Sequence, residues 1–89
     1  MLCQARDLSR DGIGIIVREP MTVGAGAVVQ VARKNRRAWI GACVRHCRYL
    51  GDGRHVVGLA FGRVPEGVRL KDLMDEHRRV RCAEMVLGA

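Results

Sequence analysis

The sequence predicts a mainly β fold, a small antiparallel sheet curled into a barrel, with one C-terminal α-helix. Three observations carry that expectation. Short apolar runs rich in β-branched residues recur between Gly, Asp and Pro breaks, as strands require. Gly51-Asp52-Gly53 separates two such runs with the positive-φ residues of a tight hairpin. Beyond Pro65-Glu66-Gly67 the apolar spacing changes from strand-like to helical. A chain of 89 residues has room for one domain with one modest core. Residues 1–89 are therefore read as a single domain, with barrel strands within about 2–62 and the helix over about 68–82.

Taken in order, Cys3 to Arg6 is a short strand and Gly14-Ile15-Ile16-Val17 a β-branched one. Glu19-Pro20 stops it, and Gly24-Ala25-Gly26 is a flexible link to the strand Val28-Val29-Gln30-Val31. The basic segment Arg33-Lys34-Asn35-Arg36-Arg37 reads as a hairpin tip. Ala38 to Tyr49 is a long strand, with His55 to Phe61 returning antiparallel after the glycine turn. Leu70, Leu73, Met74, His77 and Val80 then fall at helical spacing. Acidic residues early in this stretch and Arg78, Arg79 and Arg81 late in it suit a helix dipole.

A net charge of +7 and a pI near 10.3 draw anionic partners, whether nucleotide, nucleic acid or membrane surface. With Trp39, Tyr49 and Phe61 as the only aromatic rings besides histidine, a general single-strand nucleic-acid platform is disfavoured. Neither a long apolar run nor a signal-peptide core appears near Met1, so a cytoplasmic protein without membrane insertion is expected. In that compartment Cys3, Cys43, Cys47 and Cys82 are expected as reduced thiols.

The chemistry-bearing segment is Asp7-Leu8-Ser9-Arg10-Asp11-Gly12, at the mouth of the Gly14–Val17 strand. It resembles the D/N-x-S-x-x-G signature of PilZ domains. Downstream, Glu19-Pro20 with its Gly-rich turn, the strand through Gly41 to Val44, the Gly51-Asp52-Gly53 hairpin and Gly58-Leu59-Ala60-Phe61 are similar to that family's later strands in the same order. The similarity covers roughly Cys3 to Phe61. It implies a receptor module, not an enzyme, whose ligand is the signalling dinucleotide cyclic di-GMP and which needs no cofactor. Asp7, Ser9 and Gly12 are the implied ligand-binding residues, with Arg6 and Arg10 within reach of a phosphate.

The residues themselves admit that role. A carboxylate such as Asp7 accepts from a guanine Watson–Crick edge, and a hydroxyl such as Ser9 both donates and accepts. Gly12 either leaves room for a close approach or supplies a positive-φ turn. Equally, Asp7 and Ser9 are residue types that cap turns through side-chain to backbone bonds. Cyclic di-GMP-binding members resemble one another in an upstream R-x-x-x-R motif, for which the six residues before Asp7 leave no place. Arg6 and Arg10 have that spacing but straddle the other motif. The resemblance also implies a barrel incomplete at its N-terminus, its edges covered by a second copy, a protein partner, the terminal helix or a rearrangement; an equal alternative is a true start upstream of Met1.

Other constellations weigh less. On a regular strand Cys43 and Cys47 face one side and His46 the other, so they do not converge on a metal, and the cysteines read as small buried hydrophobes. His46, His55 and His77 lie in no catalytic motif, and Ser9 in no nucleophile elbow. Arg33 to Arg37 reads as a solubilising tip, and Trp39 as a core or rim residue in preference to a base-stacking one. Two further functions stay open beside the receptor. One is a PilZ-like protein-interaction module that binds no nucleotide; the other is a basic RNA-binding barrel.

Overall fold

A computed structural model describes residues 2–33, 36–64, 66, 69 and 79–84. Six strands form: β1 Leu2–Leu8, β2 Gly12–Val17, β3 Gly26–Arg33, β4 Arg36–Gly51, β5 Arg54–Phe61 and β6 Arg79–Glu84. They close into an antiparallel barrel in the order β1-β2-β5-β4-β3-β6. Alternation makes it so. In β1 Cys3 and Ala5 point inward, in β2 Ile13, Ile15 and Val17, in β3 Ala27, Val29 and Val31, and in β5 Val57 and Leu59. Ile15, Val29, Ile40 and Val57 are fully enclosed, each stabilising the closed form by about 1.5–3 kcal/mol relative to exposure. The interior is filled by side chains, as small barrels require.

The β4–β5 hairpin forms as its sequence dictates. Gly51 pairs with Arg54 across a two-residue loop in which Asp52 and Gly53 both have positive φ, 54° and 72°. Those values match the right-handed twist of the strands that the loop joins. The link between β2 and β3 is held to β4, since Gly24 N–H donates to the Val44 carbonyl at 2.8 Å and Val44 N–H to Ala25 at 2.9 Å. Arg33 pairs with Arg36, so the basic segment is the β3–β4 hairpin, its tip residues 34 and 35 lying outside the described residues.

Two expectations are corrected here. No helix forms among the described residues, and positions 79–82, expected to end one, belong to β6; 67, 68 and 70–78 lie outside the described residues. Arg79-Val80-Arg81-Cys82 also alternates, with Val80 and Cys82 each 1% exposed. Pairing with β1 on one side and β3 on the other satisfies backbone groups on both sides of this segment, which a local helical preference does not outweigh. For the same reason the barrel is not incomplete: β6 fills the gap between β1 and β3.

Trp39 does not lie in the core. It stands 62% exposed on the outer face of β4, between the inward Ala38 and Ile40. All four cysteines are free; Cys3 and Cys82 are buried inside the barrel and Cys47 packs partly buried against the core. Burial pushes the Cys82 thiol up to about 11, and burial raises Cys3 as well. No described helix is long and apolar enough to cross a membrane.

Candidate functional site

The outer face of β1, β2, β5 and β4 carries a groove of about 660 Å³. Its floor is made by side chains that are missing. On β2 the outward positions are Gly12, Gly14 and Ile16, and on β5 they are Val56, Gly58 and Ala60, paired Gly12 with Ala60, Gly14 with Gly58, and Ile16 with Val56. The two middle strands thus present a bare backbone strip at Gly14 and Gly58, bounded by Ile16 and Val56 at one end.

Register extends that strip into a row across four strands, Asp7 on β1, Gly14, Gly58, then His46 on β4. Asp7 leans over the first glycine, where Gly14 N–H donates to its Oδ1 at 3.1 Å. A Cβ at Gly14 would lie 2.9 Å from both carboxylate oxygens. The His46 ring covers the second glycine, for a Cβ at Gly58 would run into its Nε2 and Cε1 and lie 2.6 Å from Cδ2. The absence of side chains at both positions is what lets the two polar groups lie over the floor.

Two β-bulges put those groups on the outer face. In β1 the register shifts between Ala5 and Asp7, so Arg6 is the extra residue and Arg6 and Asp7 both face out while Ala5 and Leu8 face the core. In β4 it shifts between Val44 and His46, so Arg45 and His46 both face out and Cys47 turns in. This reverses the facing expected of a regular strand: Cys47 packs on the core, and His46 shares the outer face with Cys43. Arg48, opposite Val56, also comes to the groove. No group of three metal-ligating side chains converges among the described residues.

The Asp7–Gly12 segment is the turn between β1 and β2. Ser9 is occupied by it: its N–H donates to the Gly12 carbonyl at 2.9 Å, and its Oγ accepts from Asp11 N–H at 3.3 Å and donates to the Gly12 carbonyl at 3.4 Å. Phe61 N–H donates to the Asp11 carbonyl at 2.8 Å, tying the turn to β5. Gly12 has no positive φ; its missing Cβ admits the Leu59 carbonyl oxygen of β5 instead. Of the two roles open to it, this is close approach, to the protein's own backbone.

Of the residues singled out from the sequence, Arg6, Asp7, Ser9 and Gly12 all line the groove, and Arg10 does not. Arg45, His46 and Arg48 line it without having been assigned to the ligand site, His46 having been weighed only as a metal or catalytic candidate. Among the described residues none of Arg6, Arg45 and Arg48 is ion-paired. The groove is therefore polarised. Its β1 side offers the Asp7 and Asp11 carboxylates beside Arg6, while its β4 side offers Arg45, His46 and Arg48 with no carboxylate between them among the described residues.

The model of the PilZ domain family matches residues 1–77. The chain belongs to the PilZ family. The match spans the motif turn, both bulges and five of the six strands of this PilZ domain, and ends before β6. No curated protein and no solved structure matches the chain.

Proposed function

We propose that this PilZ domain is a cytoplasmic receptor module that binds cyclic di-GMP and performs no catalysis. The observation that carries the reading is the Asp7 carboxylate, exposed and held over Gly14 by one backbone N–H, beside a glycine floor that the Asp7 and His46 side chains overlie. One bond leaves the carboxylate with acceptor capacity for a second donor pair, which a guanine N1–H and N2–H supply. A purine lies flat on the strip where Gly14 and Gly58 carry no side chains once the exposed His46 ring swings off Gly58. Arg6 reaches a phosphate from the same wall, whereas Ser9 and Gly12 act by building the turn that holds Asp7. Because the floor belongs to the barrel wall, the site is largely formed before the ligand arrives, which lowers the ordering cost of binding.

The test is calorimetric titration of cyclic di-GMP, with GTP as control, into the chain and into Asp7→Ala. Selective binding that the substitution abolishes supports the reading. No binding to the folded protein overturns it.

A second reading, a protein-interaction module, is favoured by a separate surface. Trp39 stands exposed with Leu2, Arg37 and Arg81 around a depression of about 670 Å³ on β1, β6, β3 and β4. Exposed tryptophan and arginine are the residue types that dominate protein interfaces.

A further inference from the structure

We propose that Arg45 and Arg48 of β4, acting with Arg6 of β1, form an anion clamp for the phosphodiester groups of the ligand, an inference that rests on the dinucleotide reading above. The argument starts from what the β4 bulge changes. In a regular strand continuing from the inward Val44, Arg45 and Cys47 would face out, and His46 and Arg48 would face the core. An unpaired guanidinium inside an apolar barrel is strongly unfavourable, because nothing there replaces its lost hydration. The extra residue instead turns Arg45, His46 and Arg48 outward together and gives Cys47 to the core. Four residues thus deliver three cationic or protonatable side chains to one wall of one groove. Bulges commonly re-aim side chains next to functional sites.

The opposite wall repeats the device. There the bulge at Arg6 turns Arg6 and Asp7 out together. The two bulged arginines, Arg6 and Arg45, each precede the residue that leans over a floor glycine, Asp7 over Gly14 and His46 over Gly58. The walls are three strand spacings apart, about 14 Å, with the glycine floor between them. Long arginine side chains reach inward from either side over a flat ligand.

Charge decides which end of the ligand goes where. The Asp7 and Asp11 carboxylates line the β1 side, so an edge rich in N–H donors is favoured there. No carboxylate lines the β4 side, and Arg45 and Arg48 are not ion-paired among the described residues. No described residue takes up their donor capacity, which suits phosphate oxygens, bound by arginine in paired, charge-assisted geometry. A guanine base joined to a phosphodiester presents the complementary polarity, donor edge at one end and anion at the other. Inorganic anions share only the second feature, so they take the β4 side alone.

The experiment compares the chain with the Arg45→Ala/Arg48→Ala double variant and with Asp7→Ala. Each is titrated calorimetrically with cyclic di-GMP and, separately, with inorganic pyrophosphate followed by amide and arginine side-chain NMR shifts. Both arginines are exposed, so the double variant keeps its fold, checked by circular dichroism. The clamp is supported by a cyclic di-GMP affinity at least tenfold weaker in the double variant, with pyrophosphate shifts at Arg45 and Arg48 that vanish there and survive in Asp7→Ala. Cyclic di-GMP affinity within twofold of the parent overturns the clamp and leaves the receptor reading standing. If the parent ignores cyclic di-GMP yet pyrophosphate shifts Arg45 and Arg48, the receptor reading fails and the anion site stands. If neither ligand perturbs these residues, both are overturned.

Discussion

Replacing each groove glycine by alanine separates backbone support from binding surface, because the added methyl meets different things. At Gly12 it meets the Leu59 carbonyl oxygen, with the Leu59 carbonyl carbon at 3.3 Å and Ala60 Cα at 3.4 Å. All of these are backbone in the facing strand, so β2 and β5 must separate. Forcing extra volume against packed structure costs about 1–3 kcal/mol, and with a rigid ladder opposite we expect the upper part, about 2–3 kcal/mol. At Gly14 the methyl meets only the end of the Asp7 side chain, and at Gly58 only the exposed His46 ring. Both swing away. Gly14→Ala then gives up one hydrogen bond, about 0.5–1.5 kcal/mol, offset by about 0.4–1 kcal/mol from the lower unfolded-state entropy of alanine. Gly58→Ala has no such bond to lose. At about 4–8 °C per kcal/mol for a domain of this size, Gly12→Ala lowers the midpoint of thermal unfolding by roughly 10–20 °C, and the other two shift it by only a few degrees. Thermal unfolding by circular dichroism reads the midpoints, and calorimetry reads ligand binding, which Gly14→Ala and Gly58→Ala remove from folded protein. If Gly12→Ala melts with the other two, the approach of Gly12 to β5 has been misplaced. If the floor variants bind as the parent does, no ligand lies on that strip.

Three further outcomes follow from burial. Ile40→Ala, which empties a fully enclosed position, is expected to cost about 2–5 kcal/mol, whereas Trp39→Ala next to it on the strand costs under about 1 kcal/mol; urea unfolding of the pair checks which side of β4 faces in. Stability falls as pH rises from about 9 to 11, because the unfolded Cys82 thiol ionises near 9.0 while the folded one, pushed up by burial and the neighbouring Cys3, holds its proton to about 11. The native state binds more protons across that window, each pH unit costs about 1.4 kcal/mol, and Cys82→Ala, which lacks the thiol, shows a shallower slope in urea melts at pH 8.5 and 10.5. Alkylation of intact protein at pH 8 is expected to modify partly exposed Cys43 well before buried Cys3 and Cys82, as peptide mass mapping reveals; equal rates would contradict the placement of the last two inside the barrel.

The strands were legible where alternation is local. The runs Gly14–Val17, Val28–Val31 and His55–Phe61 hold inward residues at every second position, and Gly51-Asp52-Gly53 names its own turn. β6 was legible in principle, since Arg79-Val80-Arg81-Cys82 alternates as well as it continues a helical stripe. What decides between the two is a pair of open edges on β1 and β3, contributed by residues about fifty and eighty positions away, which no local window contains. Asp7, Ser9 and Gly12 were legible through the motif that contains them, and Arg6 through its place directly before it. Arg45, His46 and Arg48 were not, because a bulge is set by the pairing partner: the same four residues read on a regular strand send His46 and Arg48 inward. The one available hint was energetic, since that reading places Arg48 in a barrel with no acid to meet it.

The location of the groove follows from the size of the barrel. A barrel of six strands encloses only enough volume for its own inward side chains, so a ligand the size of a dinucleotide has no place inside. Recognition has to be built on the outer face, where a flat sheet offers neither depth nor convergent groups. Depth comes from omission: Gly12, Gly14, Gly58 and Ala60 remove side chains from two adjacent strands while their inward neighbours Ile13, Ile15, Val57 and Leu59 still fill the core. Convergence comes from insertion, one extra residue beside the groove in each flanking strand, Arg6 in β1 and Arg45 in β4, which turns Asp7 on one side and His46 and Arg48 on the other out of the alternation that would bury them. Neither change disturbs the inward set, so the groove is carved without loss to the barrel. β1 is also gripped by β6 along Leu2, Cys3 and Gln4, which anchors the strand immediately before its bulge. The segment that closes the barrel therefore also steadies the wall that carries Asp7.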